Sequence, residues 1–191
     1  SLTKVVSSEI ESKDSKEKIL NVLFDLVSSL IEEDVQGIGA GVPSVVDVKR
    51  GIVYDVQNIP SWKEVPLKEF LEDKFHVPVY VNNDANCFAV GEKYFGKAKF
   101  YHDVVGLIIG TGLGAGIIIH DRLYSGENCG AGEFGMVPYR DHNYEYYCSG
   151  QFFINKFKAT GKELSSRAES RDAKALQIFS EFGSHLGEAI K

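Results

Sequence analysis

Apolar residues recur at helical spacing through Ile19, Leu20, Leu23, Leu26, Val27, Leu30 and Ile31, behind the capping-box pattern Asp14-x-x-Glu17. This predicts an amphipathic helix over 15–33. The pattern then changes to apolar runs over 35–42, 45–48 and 52–56, the last two flanking Lys49-Arg50-Gly51 in the manner of a hairpin. Asn58-Ile59-Pro60-Ser61-Trp62 reads as a loop, 66–75 as a helix, 77–81 as a buried strand ending at Asn82-Asn83-Asp84, and 85–95 as another helix. Two strands follow, Val104–Ile109 and Leu113–Ile119, and Asp121-Arg122 turns the chain into Leu123-Tyr124. The remainder is largely helical, and its last helix sets Leu176, Phe179, Phe182, Leu186 and Ile190 on one face and runs on to Lys191.

Helices and strands alternate until a fresh hairpin begins at residue 104, which predicts an α/β protein of two lobes, 1–101 and 102–191. A cleft between lobes is the default place for a site. The 43% apolar and 12% aromatic content is enough to build a real core. The net charge of −6, with no basic cluster longer than Lys49-Arg50, argues against a nucleic-acid or anionic-membrane surface in this segment. The apolar runs are too short to span a bilayer. Three cysteines without a CxxC pair suggest neither a disulfide framework nor a thiolate metal site, and a reducing cytoplasm fits.

Three segments could carry chemistry. Gly110-Thr111-Gly112-Leu113-Gly114-Ala115-Gly116 lies between two strands, so it is neither a Rossmann fingerprint nor a P-loop, both of which need a following helix. Its glycines would allow positive φ and bring backbone N–H groups and the Thr111 hydroxyl up to a phosphate, or would serve an ordinary tight turn. Asp84 stands where a strand ends and a helix begins. There it is either a helix cap or a base whose carboxylate form the helix N-terminus favours. Glu133 and Glu145 lie among glycines and aromatics that would suit a polyol, although either could equally be a solvated surface acid. The five histidines show no paired metal spacing.

In this order, Gly39-Ala40-Gly41-Val42-Pro43-Ser44, Asn58 to Trp62, Asn83-Asp84-Ala85-Asn86, the glycine hairpin and the segment 126–135 resemble the ROK family of sugar kinases and sugar-responsive repressors. The resemblance implies the two-lobed actin-like ATPase (ribonuclease H-like) fold, present in part. It also implies Asp84 as the catalytic base, Asn58, Asn83, Glu133 and Glu145 as sugar ligands, and Thr111, Gly112 and Gly114 at the phosphates of ATP, with Mg²⁺ held mainly through those phosphates. The implied activity is phosphorylation of a hexose at a primary hydroxyl in a cytoplasmic homodimer. The other reading is a repressor whose DNA-binding domain lies outside this chain. Met136 stands where many members carry a histidine, and the zinc-binding cysteine loop is missing between Tyr139 and Tyr144, so no structural zinc is expected. The family's opening phosphate hairpin and closing nucleotide segment are not in this sequence either, so the chain is expected to be a piece of the catalytic unit.

Overall fold

The computed structural model describes residues 3–56, 58–127 and 129–191. The chain forms two compact units, one running through Cys87 with Glu127 and Cys129, the other comprising Phe88–Gly126 and Gly130–Lys191.

In the first unit, α1 (Lys16–Ser28) starts one residue later than the capping-box pattern suggests, because the Ser15 hydroxyl accepts the Lys18 N–H at 3.2 Å. Asp14 instead takes the Lys18 ammonium at 2.7 Å. The helix stops at Ser28, short of the expected 33, where the Ser29 hydroxyl bonds the Leu26 carbonyl at 2.7 Å and closes the last turn. Strands β1 (Ile38–Val42) and β5 (Val79–Asn83) pair in parallel, with Gly41 opposite Asn82 and Val42 opposite Asn83. The expected hairpin forms as β2 (Val45–Asp47) and β3 (Ile52–Tyr54), and β3 also pairs with β4 (Glu64–Pro66), a strand too short to show a pattern. Val53 and Val65 face each other across that pair and are fully buried. They join Ile19, Leu20, Val79 and Val81, with Leu67 and Leu71 of α2 (Leu67–Phe75), in one core. Helix α3 (Asp84–Phe95) carries the chain into the second unit.

There, β6 (Val104–Ile109), β7 (Leu113–Ile119) and β8 (Arg122–Tyr124) form an antiparallel sheet, with the β6 and β7 boundaries where the sequence places them. The β7–β8 turn is His120-Asp121, one residue earlier than expected, and both residues have positive φ (49° and 66°), as a two-residue hairpin of this twist requires. Their strain is offset by anchoring: Asp121 meets the buried Lys93 ammonium at 2.5 Å and His102 at 2.7 Å.

A 3-10 turn over Phe134–Met136 leads to a small hairpin, β9 (Pro138–Tyr139) and β10 (His142–Asn143), and then to α4 (Tyr144–Cys148), α5 (Gly150–Phe157), α6 (Gly161–Glu169) and α7 (Ala173–Ala189). The β9–β10 hairpin is invisible in the pattern because side-chain contacts hold it. Arg140 lies over the Tyr139 and Tyr147 rings at 5.4 and 5.7 Å, and His142 stacks on Tyr146 at 4.0 Å. The Tyr147 hydroxyl donates to Asp141, which pushes the phenol up to about 12 and holds the Asp141 carboxyl below its ordinary range.

Helix α7 packs Phe179, Phe182 and Leu186 of the expected face against the core, with Ala175, Ile178 and His185 buried beside them, while Leu176 and Ile190 at its two ends are exposed. His185 acts as a core residue, boxed by Tyr139, Tyr147 and Phe152 with ring centroids 4.8–5.7 Å away, and Nδ1 is 3.1 Å from the Tyr139 hydroxyl.

Phe152, fully buried against Phe153, Phe157 and Phe182, is the centre of the second core. Phe152→Ala is expected to cost about 3–5 kcal/mol, read as a lower urea midpoint. Burial, the largest cause, and then Arg140 hold His185 below its ordinary value near 6.5, while Glu181 at 3.6 Å opposes them only in part. The unfolded chain therefore binds the extra proton. Stability should be level above pH 7 and fall as pH drops below the unfolded value, with a slope of up to about 1.4 kcal/mol per unit. Urea titrations at pH 7.5 and 5.5 check this, and His185→Gln should flatten the difference.

Candidate functional site

Two groups of polar residues stand out, one in each unit. In the first, Asn83 ends β5 and its Oδ1 accepts the Ala85 and Asn86 N–H groups at 2.9 and 3.3 Å, so Asn83 caps α3. Its Nδ2 donates to the Ser44 carbonyl at 3.2 Å, which ties the Gly39–Ser44 segment to the start of the helix. Asn82 supports this corner from behind, accepting from the Asn83 N–H at 2.8 Å and from the buried Asn86 amide at 3.1 Å. Asp84, the first residue of α3, is exposed, and its Oδ1 accepts the neighbouring Ala85 N–H at 2.9 Å. The close packing continues at Gly41, where an added Cβ would lie 3.6 Å from the Asp84 Cα and 3.5 Å from the Cys87 Sγ. Asn58 is exposed in a turn closed by Ile59 N–H to Val56 O at 3.0 Å, and among the described residues no hydrogen bond joins it to Asn83 or Asp84.

In the second unit, Gly110-Thr111-Gly112 is a three-residue loop between β6 and β7, bridged by Gly110 N–H to Gly112 O at 3.0 Å. None of its glycines has positive φ, which corrects the expectation that conformational freedom requires them. Close approach accounts for Gly112 instead, since a Cβ there would sit 2.6 Å from Glu145 Oε2. That oxygen accepts the Leu113 N–H at 3.1 Å, and Oε1 accepts from the Gln151 amide at 3.0 Å. Beyond the junction of α4 and α5, the Gly150 N–H donates to the Gly110 carbonyl at 2.7 Å. The loop is thus clamped on both sides, while nothing lies within 4 Å of the open face of Gly110 and Thr111 is exposed. Beside it lies a cavity of about 370 Å³ lined by Gly110, Thr111, Ser149, Gly150, Thr160 and apolar residues of α5 and α7.

The glycines around Glu133 also serve packing. Gly132, at φ +94°, and Gly135 lie directly against the Ala115 and Leu113 carbonyls of β7, where a side chain would collide. Exposed Glu133 is thereby held between two anchor points on β7, and Gly135 abuts the Glu145 side chain. The segments bearing Glu133, Glu145, Gly112 and Gly114 therefore converge on the start of β7. Gln151 escaped the sequence reading because its contact with Glu145, six residues away, depends on the break between α4 and α5, and the bond from Gly150 to Gly110, forty positions away, leaves no periodic signal. Among the described residues, no group of three or more His, Cys, Asp or Glu could hold a metal ion, and no helix is long and apolar enough to cross a membrane.

The ROK family model matches residues 3–191. The xylose repressor of Caldicellulosiruptor bescii is 41% identical over 128 residues, covering 64% of this chain and 32% of that protein. The glucokinase of Streptomyces coelicolor is 35% identical over 162 residues, covering 77% and 51%. Among solved structures, a ROK family glucokinase from Streptomyces griseus in complex with glucose and AMPPNP superposes with a TM-score of 0.78 at 30% identity, covering 92% of this chain and 67% of that one. The chain thus spans about a third to a half of the length of these curated relatives. Its architecture is the actin-like ATPase fold of the ROK sugar kinases.

Gly112→Ala should cost about 1–3 kcal/mol by forcing Glu145 aside, whereas Gly110→Ala, which meets open space, should stay within about 0.5 kcal/mol of wild type. Denaturant midpoints of the two variants decide it; equal losses would mean that Glu145 does not seat against the loop.

Proposed function

The chain belongs to the ROK family, and on that premise we propose that it carries the sugar-binding and part of the phosphate-binding machinery of a kinase that phosphorylates a hexose at a primary hydroxyl. The observation that carries this reading is the division of labour at the start of α3, where Asn83 takes the capping duty and Asp84 is left exposed. A carboxylate at a helix N-terminus is favourably placed in the field of the helix. There Asp84 would orient the sugar hydroxyl and receive its proton as that oxygen bonds phosphorus. In a loose phosphoryl-transfer transition state the proton moves late, so positioning matters more than basicity.

Glu133 and Glu145 would accept from sugar hydroxyls. Asn83 has a second amide hydrogen for the same purpose beyond the one given to Ser44. Asn58 would complete the set from its exposed turn.

ATP would supply the phosphoryl group. The residues present fit a phosphate: the face of Gly110 is open, Thr111 is exposed, and a cavity adjoins both. Thr111, Gly112 and Gly114 would line its approach, with Mg²⁺ carried on the phosphates. The kinship with glucokinases supports this reading.

A second reading has its own support in the 41% identity to a xylose repressor. In it the same corner senses a sugar without turnover, and DNA binding resides outside this acidic segment.

A coupled ADP-release assay on the full-length protein, with glucose, mannose and xylose as acceptors, tests the choice. Asp84→Asn should reduce turnover by about a thousandfold or more, given the scale of general-base catalysis combined with lost orientation, while sugar binding persists. Turnover that survives the substitution removes Asp84 from the chemistry. Sugar binding without turnover in the wild type selects the sensor.

A further inference from the structure

Glu145 and Gln151 are six residues apart, a separation that places two side chains on different faces of a continuous helix. They meet because the helix is broken between them. Ser149 is extended (φ −133°, ψ −175°), ending α4 and capping α5 through its hydroxyl, and the chain bends there enough to bring the Gln151 amide back to Glu145. Both carboxylate oxygens are then fixed by protein donors, Oε2 by the Leu113 N–H and Oε1 by Gln151 Nε2, at 3.1 and 3.0 Å. The base of the side chain is confined as well, since Gly135 leaves only contact distance to its Cβ.

We propose that Gln151 is a positioning residue for sugar recognition, holding the Glu145 carboxylate in one orientation so that its remaining lone pairs meet the hydroxyls of a polyol ligand. The proposal rests on the reading that Glu145 binds sugar. A glutamate left to rotate loses side-chain freedom when it captures a ligand, and a pre-oriented one has already lost it. The Leu113 N–H alone cannot do this, because a single bond to one oxygen leaves the carboxylate able to swing about it. Gln151 also lines, with Met136, Asn143 and Tyr146, a polar cavity of about 460 Å³, so its side chain stands at the edge of open space.

The test is calorimetry on the full-length protein with D-glucose and D-xylose. Gln151→Met keeps the length and removes the donor, and should weaken the sugar that the wild type binds by about tenfold, the scale of one charge-assisted hydrogen bond. Gln151→Lys returns an N–H donor and should recover affinity to within about threefold. Glu145→Gln should weaken binding at least as much as Gln151→Met. If Glu145→Gln weakens binding and Gln151→Met does not, the role of Gln151 falls and the sugar reading of Glu145 stands. If Gln151→Met lowers the melting temperature and leaves affinity unchanged, Gln151 is structural only. If neither sugar binds the wild type, or Glu145→Gln leaves affinity intact, the sugar reading fails and the proposal with it.

Discussion

The β6–β7 hairpin keeps its shape because a carboxylate from another element reaches its backbone. Its three-residue loop has one internal bond, Gly110 N–H to Gly112 O, and two external ones, from Leu113 N–H to Glu145 and from the Gly150 N–H to Gly110 O. Buried backbone donors must be satisfied, so the identity of Gly112, the position of α4 and the break at Ser149 all follow from letting Glu145 in. The glycines at 132 and 135 extend the same constraint one layer further, allowing the following segment to lie directly on β7.

In the first unit the corresponding device is Asn83. One amide closes the first turn of α3 and fastens the β1–β2 connection through Ser44, with Asn82 and Asn86 bracing it. A strand end becomes a rigid corner in which Asn83 carries the cap and the adjacent Asp84 shares only the Ala85 N–H. Structure and candidate chemistry are thus divided between neighbouring residues, and a functional carboxylate can occupy a position where helices commonly place a cap.

Much of the fold was legible in local pattern. β6 and β7 stand where their β-branched runs place them, and α3 begins at the Asn-Asp sequence, because period and turn chemistry are short-range signals. What escaped was settled at long range. β4 is three residues long and is defined by pairing with β3; no local signal marks His185 as the histidine that Tyr139, Tyr147 and Phe152 close around; and the serines at 28 and 29 end α1 while apolar spacing continues. At the candidate site, the order of motifs singles out Asp84, Glu133, Glu145 and the glycine loop. The reason for the glycines was misread, because φ can be guessed from composition, whereas the approach of Glu145 to Gly112 cannot.

The break at Ser149 has an electrostatic consequence. It turns the Gly150 N–H, the first of α5, toward the Gly110 carbonyl and places that helix start on the wall of the cavity beside Thr111. The first turn of α5 holds no acid of its own, its Gly150 and Gln151 N–H groups are taken by the Gly110 carbonyl and the Ser149 hydroxyl, and its last turn holds Lys156. At the other helix start on the same wall, Glu163 folds back on Thr160 and cancels the equivalent field. The field along this wall is therefore set by peptide dipoles and hydroxyl groups, with no lysine or arginine in its lining among the described residues, so mutation of any single basic residue would leave it in place.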